Sequence, residues 1–332
     1  MTKYLYIFAA FCFLLLVSGF WLFKGNVFLG TYFDHKWTLL TERDEVHVPA
    51  FQDLIFFDSK NGVSIAFMTI QTTNDGGLTW TKRFENDDGI FYGLYFGVES
   101  VLAVGAKNNL PVILRSSDHG VQWKKEDFDA SSVKRVEREF TKFYDVCTDP
   151  GGKLWIAGDS GIVSATVESD TLTVTDTFET TGSNLSIACA QSGNIWAITD
   201  SHTVVSIHGN RMEEKKIDSS IIYLTKIKIL DSKIWILGGD ASKGITLTSQ
   251  NEGQTWDRKE QEGVITNFDI AILDGKGWMV GADGAILYTT DDGNSWRKAN
   301  SPTKNSLLNI FFLDSQHGWI AGDKATVLKY QN

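Results

Sequence analysis

The reading of "TTDDGNSW", Thr289 to Trp296, decides the fold. Thr289, Asp291, Gly293 and Trp296 stand at offsets of two, two and three. The same offsets recur in "TNDGGLTW" (Thr73, Asp75, Gly77, Trp80), "SSDHGVQW" (Ser116, Asp118, Gly120, Trp123) and "SQNEGQTW" (Ser249, Asn251, Gly253, Trp256). An Asp at the start of a tight hairpin accepts hydrogen bonds from N–H groups within the turn, and a Ser or Thr hydroxyl does so more weakly. Gly supplies a positive φ without steric cost, and Trp buries a large face between sheets. Every residue type in the octet therefore has a structural task, and the octet reads as a turn.

A second pattern fills the gaps between octets. It runs through "GVSIAF", "VLAVGAK", "KLWIAGD", "NIWAITD", "KIWILGGD", "GWMVGAD" and "GWIAGD". Its Trp-equivalent positions are Val63, Leu102, Trp155, Trp196, Trp235, Trp278 and Trp319, spaced 39, 53, 41, 39, 43 and 41 residues apart. Each unit reads as four short strands with the octet between the third and fourth, which is the pattern of a propeller blade. The chain is thus predicted to be all-β, a seven-bladed β-propeller. The last unit stops after its third strand at "ATVLKYQN", while "DHKWTLLTE" (Asp34 to Glu42) carries Trp37 much as the last octet carries Trp296. This N-terminal segment is expected to complete the last blade and so hide open sheet edges.

Ahead of it, Tyr4 to Phe23 is twenty residues without a charge, bracketed by Lys3 and Lys24. As a helix it would span roughly 30 Å of hydrocarbon. Residues 1–33 read as a signal anchor or signal peptide, and residues 34–332 as the propeller. "VSG" (Val17 to Gly19) is a poor cleavage site, which favours an uncleaved transmembrane helix over a secreted form. The bulk of the chain is expected to be exported, anchored on the extracytoplasmic side. That part carries 29 basic and 41 acidic residues, a formal charge of minus 12, which disfavours nucleic acid as a partner. The cysteines form no CxxC and the six histidines are scattered, so no metal site or other cofactor is expected. Cys147 and Cys189 fall at matching places in adjacent units, and two free, buried thiols are expected there.

The four octets resemble the BNR or Asp-box repeat shared by sialidases and other exported propellers. The alternation around "GWMVGADGAILYTTDDGNSW" (Gly277 to Trp296), kept over residues 34–332, resembles the photosystem II assembly and stability factor family. That resemblance implies a non-enzymatic, monomeric propeller that binds a membrane protein complex or its unassembled subunit. Two features depart from the family: no lipoprotein cysteine follows the apolar run, and no basic patch is evident. The rival reading is a sialidase-like glycoside hydrolase or a glycan-binding propeller. A hydrolase of that type needs three convergent arginines, yet Arg83, Arg258 and Arg297 follow octet tryptophans and so belong to outer strands.

Partner-binding candidates lie on loops. The turns between second and third strands hold Lys107, Asp159, Asp200, Asp240, Asp283 and Asp323, which would give one end of the channel a negative potential attractive to a basic segment or a cation. Ordinary hairpin chemistry explains aspartates beside glycines equally well. The 53-residue unit carries an insertion, Lys124 to Asp145, with Lys134, Arg135 and Arg138, read as a solvated loop or a partner-binding one.

Overall fold

The computed structural model describes residues 36–42, 49–97, 100–127, 138–168, 171–217 and 220–331. The apolar N-terminal run, Lys134 and Arg135 lie outside them. Among the described residues no helix is long and apolar enough to cross a membrane.

Seven antiparallel four-stranded sheets follow one another along the chain, as the repeat predicts. Their innermost strands are Asp53–Phe56, Gly89–Phe96, Phe143–Thr148, Asn184–Cys189, Tyr223–Leu230, Asn267–Leu273 and Leu307–Phe312. In the seventh blade the outermost strand is Lys36–Thr41, paired with Thr326–Gln331 in a register that sets Trp37 opposite Tyr330 and Leu39 opposite Leu328.

Five of the seven second strands are buried along their whole length, for example Leu154–Gly158, Ile195–Thr199 and Gly318–Gly322. A neighbouring blade covers each face of such a strand, so it reads as a continuous apolar run rather than an alternation. The core is accordingly divided among seven interfaces between blades. One joins Val63, Ile65 and Ile70 to Phe91, Leu94 and Val101, and the one at the seam joins Leu54 and Phe56 to Trp319, Ala321 and Val327. At that seam Phe56 stacks on Trp319 with centroids 3.7 Å apart and planes within 6°.

Cys147 and Cys189 are joined in a disulfide, which corrects the expectation of free thiols. The two residues occupy the last turns of pleat on neighbouring inner strands. Those strands converge toward the channel, bringing the Cα atoms to 5.8 Å, inside the range a disulfide spans. Spacing in the sequence showed the matching positions but not how closely inner strands approach.

Candidate functional site

All four octets form the same hydrogen-bonded turn between third and fourth strands. In the last, the Thr289 hydroxyl donates to Asp291 (2.7 Å) and accepts from the Gly293 N–H (3.0 Å), while Asp291 accepts from the Ser295 N–H (2.8 Å). The other octets repeat this through Thr73 and Asp75, Ser116 and Asp118, and Ser249 and Asn251. The Ser295 and Thr289 hydrogen bonds hold the Asp291 carboxyl down at about 2. Asp118 is also lowered, chiefly by the Gln122 N–H; at Asp75, bonds from Thr79 and Thr73 outweigh the opposing effect of burial.

The octet glycine makes a further contact. A Cβ on Gly253 would meet the Trp196 ring at 2.8 Å, and one on Gly293 the Trp235 ring at 2.3 Å, both at positive φ. In blade 1 the Gly76 carbonyl accepts from the Trp319 indole N–H at 2.9 Å. Each of these turns is seated on the second strand of the preceding blade. The octet tryptophans Trp80 and Trp123 donate back to the glycine carbonyls of Gly77 and Gly120.

Inner strands carry a second ring of polar groups that lies at one register position. Asp53, Gly93, Asp145, Ser186, Lys226, Asp269 and Asn309 pair with Ile65, Val104, Ala157, Ile198, Leu237, Val280 and Ala321 in their respective second strands. Around the ring, Asp53 accepts from the Leu94 N–H, Asp145 from Ile187, Ser186 from Ile227 and Asp269 from Ile310. Each bond reaches the following blade, so the ring is hydrogen-bonded along its circumference. Lys226 reaches Asp145 at 3.1 Å and Lys228 reaches Asp269 at 2.6 Å. Asp53 has no cation of its own among the described residues; Asn309 donates to it at 2.7 Å. Burial, then the charges of Asp145 and Asp269, push the Asp53 carboxyl up to about 7 against the opposing pull of Lys226. Burial alone would lower the Lys226 ammonium, but Asp145, Asp53 and Asp269 together hold it above its ordinary value. At Gly93 the ring has no side chain, because a Cβ there would lie 2.8 Å from the Tyr144 carbonyl of the next inner strand.

This ring was missed in the sequence, although one column of the repeat carries it. "FQDLIF", "FYDVCT", "NLSIAC", "NFDIAI" and "LLNIFF" each set a polar residue before a pair of apolar ones.

Immediately before the ring residue, six of the seven inner strands carry a β-bulge. The register shift falls at Tyr92, Tyr144, Leu185, Thr225, Phe268 and Leu308, all partly buried. A bulge adds one residue without a partner and re-aims its side chain. Tyr92 and Tyr144 meet across two blades with ring centroids 5.1 Å apart. Burial raises both phenols, and Tyr144 is raised further by Asp159, Tyr92 and Asp200.

The loop candidates fall around this end of the channel in two columns. Asp159, Asp200 and Asp323 follow the second strand directly, and their N–H groups donate to Lys142, Ser183 and Ser306. Asp159 also accepts from the N–H groups of Thr141 and Lys142, and Asp200 from that of Ser183, so both carboxylates staple the segment entering the inner strand. Asp240 instead caps its own hairpin through Ser242 and Lys243. Asp283 sits one residue later than Asp323 in its turn, at φ 54, where the last blade has Lys324. Lys107 ends the second strand of blade 2. Arg138 is tied to blade 3, donating to Glu179 and to the carbonyls of Ser160 and Thr180. Among the described residues no group of three or more His, Cys, Asp or Glu is placed to hold a metal ion.

The blade count, the repeated turn and the closing strand define an Asp-box β-propeller. Over residues 34–331 the chain matches the family described as Photosynthesis system II assembly factor YCF48, and it belongs to that family. Solved structures repeat the fold at low identity. YCF48 bound to D1 peptide is 18% identical with a TM-score of 0.71, covering 91% of this chain and 96% of that one. YCF48 from Cyanidioschyzon merolae is 19% identical with a TM-score of 0.66, covering 89% and 98%. The WD40 propeller domain of Doa1 is 10% identical with a TM-score of 0.68, covering 90% and 97%, so the fold extends well beyond the family. No curated protein matches the chain.

Proposed function

We propose that the protein is a non-enzymatic assembly or stability factor that binds, as a monomer, a membrane protein complex or one of its unassembled subunits. The family match over the whole propeller carries this reading. A polypeptide segment is the natural ligand class, since the relative YCF48 has been solved bound to D1 peptide. Residues 1–33 anchor the propeller on the extracytoplasmic side. The Cys147–Cys189 disulfide supports export, because such bonds persist in oxidising compartments.

The hydrolase reading gains no support from the described arginines. Arg83, Arg211, Arg258 and Arg297 lie on fourth strands of four different blades, and Arg115 is paired with Glu126 at 2.8 Å.

Affinity purification of the tagged full-length protein from detergent-solubilised native membranes tests the proposal. A near-stoichiometric integral membrane protein is expected to co-purify. Recovery of the propeller alone over several detergents, or hydrolysis of a fluorogenic sialoside, would overturn it.

A further inference from the structure

We propose that the channel mouth on the side of the strand 2–3 turns is a docking site for a polypeptide segment in which apolar side chains are followed by lysine or arginine. This rests on the reading above that the protein binds polypeptides, and it specifies which kind.

The apolar half of the argument comes from the bulges. Five of the six bulge residues, Tyr92, Tyr144, Leu185, Phe268 and Leu308, are aromatic or aliphatic, and all keep part of their surface in water. They stand next to a ring of charged and amide groups that are hydrogen-bonded from blade to blade. A bulge is not needed to complete a four-stranded blade, since blade 1 pairs its inner strand without a register shift. Six bulges thus each present a partly exposed side chain at one level of the axis, five of them apolar and two of these, Tyr92 and Tyr144, in contact, and apolar side chains gathered in this way suit an interaction site. On the same side, Ile222, Tyr223 and Ile265 precede or begin inner strands with 53%, 54% and 42% of their surface exposed.

Charge supplies the other half. The strand 2–3 turns of blades 3 to 7 hold Asp159, Asp200, Asp240, Asp283 and Asp323, but Lys243 shares the turn of Asp240 and Lys324 that of Asp323, and blade 2 has Lys107. The turns that carry an aspartate and no lysine are therefore those of blades 3, 4 and 6, opposed by Lys107 on blade 2, and this uneven charge gives an incoming segment a sign and a preferred side. Asp159 is bonded to Thr141 and Lys142 just ahead of Tyr144, Asp159 and Asp200 both raise the Tyr144 phenol through their charge, and Tyr144 itself touches Tyr92. A tyrosine pair within electrostatic reach of two carboxylates suits an ammonium or guanidinium group, which gains from the ring quadrupole and from the nearby anions. Backbone N–H groups already hold both carboxylates in place, so binding does not have to order them.

The probe is a set of short fluorescent peptides that share one apolar stretch and end in arginines, in neutral citrullines or in glutamates. Their binding to the full-length protein in detergent is read by anisotropy. The arginine peptide is expected to bind about tenfold more tightly than the citrulline peptide, and the glutamate peptide more weakly than either. The double variant D159N/D200N should bring the arginine peptide down to the citrulline level, whereas Tyr144→Phe should stay within about twofold because it keeps the aromatic face. The asparagines keep the acceptor oxygens that Thr141, Lys142 and Ser183 use, so this variant tests the site even where Tyr144→Ala unfolds. Equal binding of all three peptides, binding of none, or an unchanged preference in D159N/D200N would overturn the proposal. The two readings fail separately: a membrane partner recovered equally well by D159N/D200N and by wild type removes this docking site and leaves the assembly role intact. No partner for the wild type removes the assembly role.

Discussion

At the scale of single residues, Asp53 is where the polar ring is least balanced. Its ordinary value of 3.8 applies to the unfolded chain, while the folded carboxyl titrates near 7. Below about pH 4 it is neutral in both states and contributes no pH dependence. As pH rises the unfolded carboxyl ionises first, so stability is lost between about 4 and 7. In Asp53→Asn the amide oxygen still accepts from Leu94, and the new NH2 replaces the oxygen that accepts from the Asn309 NH2; when the Asn309 amide turns over, its oxygen, buried without a partner among the described residues, accepts from that NH2 instead. Melting temperatures of wild type and D53N should therefore diverge in favour of D53N by a few degrees as pH climbs to 8, and converge near pH 4. Parallel curves would show that the ring compensates Asp53 in another way. Nothing in the local sequence announced this: "FQDLIF" resembles any strand with a turn-side aspartate, and burial by six other blades is a property of the closed ring.

At the scale of the element, the octet was legible because its task is local. Four residue types at fixed offsets make one turn with internal hydrogen bonds, and the turn lies where the strand count placed it, between third and fourth strands. Its second task, seating on the preceding blade, was not legible, since the partner ring lies in a different repeat. The two tasks can be separated by mutation. Gly293 has φ +73 and Trp235 within 2.3 Å of a new Cβ, whereas Gly275 has φ +75 and open space around it. Gly275→Ala should cost about 1 kcal/mol, the strain of the left-handed region alone. Gly293→Ala should cost roughly 2–4 kcal/mol, because displacement of the indole is added to that strain. Urea midpoints decide it, and equal losses would mean that the seating contact contributes nothing. The disulfide is the opposite case: its two positions were visible and its closure was not. It joins residues 42 apart, and a loop of that length corresponds to about 4 kcal/mol in the chain-entropy account.

At the scale of the whole molecule, fold class, blade number and the origin of the closing strand were all readable, because a period near forty residues with a missing final strand leaves one closed arrangement. Trp37 anchors that closure. It is 6% exposed and meets Trp278, Phe312 and Tyr330 with centroids 6.4, 5.8 and 5.4 Å away. Trp37→Ala should destabilise the propeller by about 3–5 kcal/mol and should leave the Thr326–Gln331 edge prone to pairing with other chains. Denaturant unfolding and light scattering would check the two effects, and loss of neither would mean that the last blade holds with three strands. The proposed docking surface was only half readable. Aspartates in the strand 2–3 turns stood out in five of the seven repeats, but the bulges opposite them leave no mark in composition or period.

The pairing of Lys36–Thr41 with Thr326–Gln331 also fixes an order in time. The first strand of the propeller to leave the ribosome receives its partner last. At 5–20 residues per second that wait is on the order of 15 to 60 s. Until then the chain has blades but no ring, and it remains open enough to be threaded or discarded. A chain that stops before Thr326–Gln331 lacks the strand that Lys36–Thr41 pairs with, so this joint forms only once the last blade has been made.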